Sequence, residues 1–72
     1  MIKSYDQLKE KLLEYRKLQS KERNYPAYYI FTNEQLEKLL VMRPKTIDDL
    51  KAILEPIKIK IYGDDILSMI NK

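Results

Sequence analysis

The sequence predicts an all-α fold, a small five-helix bundle around one core. Three observations carry this. Ser4, Thr32 and Thr46 are each followed three residues later by Gln7, Gln35 and Asp49, the reciprocal pattern that closes a helix N-terminus. Leucine and isoleucine recur three and four positions apart behind these caps. Pro26, Pro44 and Pro56 then punctuate the chain between its apolar runs. With 72 residues the chain forms one domain. A domain of this size is held by about 3–5 kcal/mol when no disulfide or metal staples it.

The first helix is expected over 4–20, where Tyr5, Leu8, Leu12 and Tyr15 form an apolar stripe and Lys9, Glu10, Lys11, Glu14 and Lys17 cover much of the rest. The pattern dissolves over 20–26, and Pro26 biases Tyr25 to extended geometry. Residues 27–31 have strand propensity but no partner strand, so an extended, partly buried loop is expected, anchored by Ile30 and Phe31. A second helix follows over 33–42, carrying Leu36, Leu39 and Leu40, and a third over 46–54, carrying Leu50, Ile53 and Leu54. Asp48 and Asp49 suit the positive end of that third helix.

Residues 57–61 alternate Ile-Lys-Ile-Lys-Ile, which reads as strand, but Pro56 and Gly63 frame the segment as a short helix. A lone strand would leave its backbone groups unpaired, so a helix over 57–62 is preferred. The last helix is expected over 64–71 with Ile66, Leu67 and Ile70 facing inward. Asp64 and Asp65 would open it and complement its dipole; adjacent residues on a helix do not face each other, so they make a poor metal pair. The expected core is Leu12, Leu36, Leu39, Leu50 and Ile66.

The composition removes most catalytic chemistry. Cys and His are absent and Gly63 is the only glycine. Thiolate nucleophiles, histidine bases and glycine-rich phosphate loops are therefore excluded. No cofactor, no metal site and no enzymatic activity are expected, hydrolysis of nucleotides and nucleic acids included. No apolar run approaches the roughly 18 residues of a membrane span, and the N-terminus lacks the apolar stretch of a signal peptide. A monomer in a reducing cytoplasm, with no membrane partner, is the expectation.

Charge and aromatic placement point to a binding surface. The net charge of +3 and pI near 9.1 permit contact with a polyanion. Tyr25, Tyr28 and Tyr29 crowd into five residues beside Lys21 and Arg23. Single strands are held by stacking of bases on aromatic rings next to phosphate-neutralising cations. Lys58 and Lys60 are candidates to extend this surface, and Tyr28 is the foremost stacking candidate because Ile30 and Phe31 take the buried positions. The plainer reading packs the rings over the edge of the core and leaves the lysines as a solvated face.

Three blocks in order resemble the HRDC (helicase and RNase D C-terminal) family. The run Tyr25-Pro26-Ala27-Tyr28-Tyr29-Ile30-Phe31 before the capped second helix is similar to the family's proline–aromatic–Phe stretch. Pro44-Lys45-Thr46 leading to Leu50 resembles its start of helix three, and Tyr62-Gly63-Asp64-Asp65-Ile66 its start of the last helix. Lys58 keeps the family's spacing to Tyr62, whereas the glycine-rich hairpin that many members place before this lysine is missing. Without glycine, that segment does not offer a backbone-amide anion site. The resemblance implies a five-helix accessory domain spanning 1–72 and excised from a larger helicase or nuclease, the parent being an ATP-dependent DNA helicase. It implies weak, sequence-tolerant contact with single-stranded or junction-like DNA through Lys21, Arg23, Tyr25, Tyr28, Tyr29, Lys58 and Lys60. Other domains of the parent enzyme are the further expected partners. The alternative function is docking onto a protein or another domain, without nucleic acid.

Overall fold

The computed structural model describes residues 4–71 as five helices: α1 (Tyr5–Arg23), α2 (Ala27–Ile30), α3 (Asn33–Met42), α4 (Ile47–Leu50) and α5 (Pro56–Asn71). There is no strand among the described residues. The long α1 packs against α2, α3 and α5, and α4 lies on α5. One core results, and it holds all five residues expected there together with Leu8, Ile30, Phe31, Leu40, Ile53, Leu54, Tyr62 and Ile70.

All three expected caps form. The Ser4 hydroxyl accepts from the Gln7 N–H at 3.2 Å while the Gln7 side chain accepts from the Ser4 N–H. Thr32 with Gln35, and Thr46 with Asp49, repeat the exchange. Such caps contribute about 1 kcal/mol each by satisfying donors that the first helical turn leaves open. Behind the first cap Leu8 and Leu12 are fully buried. Tyr5, at the solvent end of the same stripe, stays exposed, and its hydroxyl donates to the Glu37 carboxylate.

Four elements differ from the sequence reading, each for a physical reason. α1 runs to Arg23 instead of ending near residue 20. Asn24 stops it by taking left-handed backbone angles (φ 59°), with Asn24 N–H bonded to Lys21 O and Tyr25 N–H to Ser20 O. This is the Schellman closure, which asparagine tolerates better than most residues. The last turn faces solvent, so its polar sequence did not mark it as helix. Residues 27–30, expected to be extended, form one helical turn instead. Pro26 starts it with a preset φ, its carbonyl accepts from Tyr29 N–H at 3.0 Å, and only Phe31 returns to extended geometry. The α-helical part of the third element stops at Leu50; residues 51–53 tighten into turns with bonds three residues apart, which buries both Ile53 and Leu54.

The largest difference is α5, one continuous helix where two were expected. Gly63 does not break it and its φ is not positive. Its role is close approach: a Cβ there would lie 3.2 Å from Ile59 Cγ2 and 3.4 Å from Ile47 Cδ1 and Leu50 Cδ1. The glycine thus lets α4 seat against α5. Because the helix runs through, Asp64 and Asp65 sit mid-helix and cannot complement a dipole. Asp65 instead accepts the Tyr15 hydroxyl at 2.9 Å, tying α1 to α5. None of the described helices is long and apolar enough to cross a membrane.

Candidate functional site

The single turn α2 decides which aromatic side chains are available. Ile30 and then Phe31 turn inward and are completely buried, while Tyr25, Tyr28 and Tyr29 are left about half exposed, Tyr28 most at 59%. Burying an Ile or Phe stabilises by about 1.5–3 kcal/mol each, so these two anchors fix the direction of the turn. Arg16 reinforces the anchor, with its guanidinium donating to Phe31 O at 3.1 Å and Asn33 Oδ1 at 2.9 Å. The three tyrosines form one cluster, with ring centroids 5.1 Å apart for Tyr28–Tyr29 (edge to face) and 5.5 Å for Tyr25–Tyr29.

This cluster is one wall of a cleft of about 540 Å³. The opposite wall is α5, where Ile57 and Ile61, four residues apart on one face, are 61% and 41% exposed. Thr32, Glu55, Lys58 and Tyr62 complete the lining. Tyr62 is buried and held by two side chains of α1. The Arg23 guanidinium lies 5.2 Å from its ring centroid, and Tyr15 meets it edge-on at 6.3 Å. Burial, and then the bond to Asp65, pushes the Tyr15 hydroxyl well above its ordinary range.

Four sequence-selected residues therefore meet in one place: Tyr25, Tyr28, Tyr29 and Lys58. The cations are distributed otherwise than expected. Lys58 is only 9% exposed, and its ammonium donates to Gln35 Oε1 (3.1 Å) and Tyr28 O (3.5 Å) and pairs with Glu55 at 3.2 Å. The Gln35 amide also donates to Ile53 O and to the Glu55 carboxylate. This holds the Glu55 carboxyl below the usual carboxylate range, the Gln35 bond being the main cause. Lys60 points elsewhere and lines a separate hollow with Lys51, Leu54, Pro56 and Ile59. Arg23 borders the cleft through Tyr62, and Lys21 is exposed on the same last turn of α1.

Ile57, Ile61, Glu55 and Tyr62 line this surface and Gln35 holds Lys58 and Glu55 beneath it, and sequence reading did not select them as site residues. The signal for the two isoleucines is their spacing of four, which becomes a shared face once 56–71 is one helix. Nothing local marks Gln35 beyond its capping role. Among the described residues no three acidic side chains converge as a metal cluster would require.

The model of the HRDC domain family matches residues 6–70. The chain belongs to the HRDC family. Among solved structures, the third HRDC domain of D. radiodurans RecQ superposes with a TM-score of 0.89 at 37% identity, covering 96% of this chain and 93% of that one. No curated protein matches. The resemblance carried by the aromatic, Pro-x-Thr and Tyr-Gly blocks is thereby established across nearly the whole domain. This HRDC domain is an accessory module of the kind found in RecQ.

Proposed function

We propose that this HRDC domain is a non-catalytic, monomeric module of a larger cytoplasmic helicase or nuclease, most simply a RecQ-type ATP-dependent DNA helicase, and that it tethers its parent to single-stranded or junction-like DNA. The observation that carries the reading is the cluster of three exposed tyrosines walling a cleft, with Arg23 against the cleft residue Tyr62 and Lys21 exposed on the same last turn of α1. Exposed rings offer stacking surfaces at about 1–3 kcal/mol per base, and the two cations at the end of α1 supply charge for phosphates. Affinity is weak, around 10⁻⁴–10⁻⁶ M, because the charge supporting it is small.

A second reading has its own support. Ile57 and Ile61 expose aliphatic surface in the same cleft, and the Lys58 charge is matched by Glu55. Such a surface also suits docking on another domain or a partner protein. A salt titration of binding to a labelled single strand separates the two. With Lys21 and Arg23 as the phosphate contacts, log affinity falls against log salt with a slope near −1.4, about −0.7 per contact. Absence of binding at low salt leaves the docking reading in its place.

A further inference from the structure

Apart from Gly63, against which α4 seats, the buried residues of α5 fall on one stripe, four residues apart: Lys58, Tyr62, Ile66 and Ile70. Three of these are what a core stripe calls for. The first is a lysine, while Ile57 and Ile61 beside it face solvent. An ammonium withdrawn from water is costly unless every donor finds an acceptor. Here it does. Lys58 reaches three acceptors on three separate parts of the chain: Tyr28 O in α2, Gln35 in the first turn of α3, and Glu55 just before α5. A lysine has three N–H donors, and all are committed inside the domain.

We infer that Lys58 is a positioning residue: it fastens the tyrosine turn to α3 and α5 and so holds the cleft in shape, and it takes no phosphate itself. This deepens the stacking reading and rests on it. Bases enter between the tyrosines and Ile57 and Ile61, and the phosphates remain outside on Lys21 and Arg23.

Lys58→Met is the decisive variant. Methionine keeps an unbranched chain on the core stripe and removes the ammonium. Gln35 Oε1 retains the Thr32 N–H, and the Glu55 side chain, 54% exposed, can be solvated, so only the partly buried Tyr28 carbonyl loses a donor, the longest of the three contacts. The melting temperature should equal or exceed that of the parent domain. Binding is read by fluorescence anisotropy of a labelled oligothymidylate of roughly 10 nucleotides, a length typical of such sites. The expected result is an affinity about tenfold lower, a salt slope unchanged from the parent, and displaced Tyr28 and Tyr29 amide resonances in the free protein. A slope reduced by about one unit would show that Lys58 meets a phosphate, and would overturn the assignment. Unchanged tyrosine resonances would overturn it as well.

Glu55→Gln supplies the sign. Removing an acid near the path of a polyanion strengthens binding if electrostatics dominate, whereas loosening the clamp weakens it. The expected effect is a two- to threefold loss, within the roughly 1 kcal/mol scale of a single hydrogen bond. An affinity equal to or above the parent's contradicts the clamp. If the parent domain binds no oligonucleotide at low salt, the stacking reading fails by itself, and the tyrosine resonances of Lys58→Met still decide the role of Lys58.

Discussion

The two halves of α5 share one helix and one stripe but solve burial in opposite ways. In the second half, Ile66 and Ile70 go inside and the polar Asp64, Asp65 and Ser68 stay out, as the hydrophobic effect alone dictates. In the first half a lysine goes inside and two isoleucines stay out. The difference lies in the acceptors. Where Gln35, Glu55 and the Tyr28 carbonyl converge, an ammonium can be buried with its donors met, and the aliphatic side chains beside it are released to the surface. Burial of a matched charge is not a cheap source of stability, so a pattern broken in this way marks a place where something other than stability is being served.

The largest effect is expected on the core side. Leu12 is completely buried and Ile57 is 61% exposed. Leu12→Ala should cost about 2–5 kcal/mol, most of the stability of a domain this small, and should leave much of it unfolded at room temperature. Ile57→Ala should stay within about 0.5 kcal/mol. Urea unfolding followed by circular dichroism measures both. A melting point for Leu12→Ala equal to that of the parent would place the core on a different face of α1.

Gly63 joins the two halves, and it tests whether α4 is truly seated there. Alanine in a helix interior normally gains about 0.5–1 kcal/mol over glycine. Its Cβ would meet Ile59, Ile47 and Leu50 at 3.2–3.4 Å, so here the gain should be largely cancelled. Gly63→Val, with two further carbons in the same space, should lose about 1–3 kcal/mol through overpacking. A thermal melt showing Gly63→Val as stable as the parent would mean that α4 yields freely.

What was legible in the sequence follows from how local each cause is. The caps at Ser4, Thr32 and Thr46 act within three residues, and all were read correctly, as was the core drawn from leucine spacing. The unity of α5 was not legible. Gly63 carries the same local signature whether it ends a helix or admits a neighbour, and the neighbours are Ile47 and Leu50, more than a dozen residues away. The helical turn at 27–30 was hidden because aromatic and branched residues favour strand locally, while burial of Ile30 and Phe31 favours the turn. The tyrosines were visible as a candidate surface. The inward course of Lys58 was not, since two of its three acceptors belong to elements far along the chain.

At the cleft, Tyr28→Ala sharpens the contrast between residues that hold the fold and residues held by it. Tyr28 contributes an exposed ring, so the thermal midpoint should move little. Oligonucleotide affinity should fall by about 1–3 kcal/mol with the salt slope preserved, because stacking releases no counterions. Isothermal titration at two salt concentrations gives both quantities. Full affinity in Tyr28→Ala would take this ring out of the site.

The smallest expected effect concerns the tie from Tyr15 of α1 to Asp65 of α5. Burial, then the hydrogen bond to Asp65, raises the Tyr15 hydroxyl above its ordinary value of 10.0, so the folded state favours its neutral form. The sign follows from that direction. A group whose folded value lies above its unfolded value contributes fully at pH below the unfolded value, and its contribution shrinks as pH rises beyond it. The Tyr15 share of stability is therefore intact at neutral pH and fades above about pH 10. Tyr15→Phe keeps the ring against Tyr62 and removes only the ionisable hydroxyl and its bond to Asp65. Unfolding free energies measured in urea from about pH 8 to pH 11 should thus fall more steeply for the parent than for Tyr15→Phe, and the two curves should converge at the alkaline end. Every other group is common to both proteins and drops out of the difference. Parallel curves would show that the hydroxyl ionises as freely in the folded domain as in the unfolded chain, and that the tie between α1 and α5 rests on ring packing alone.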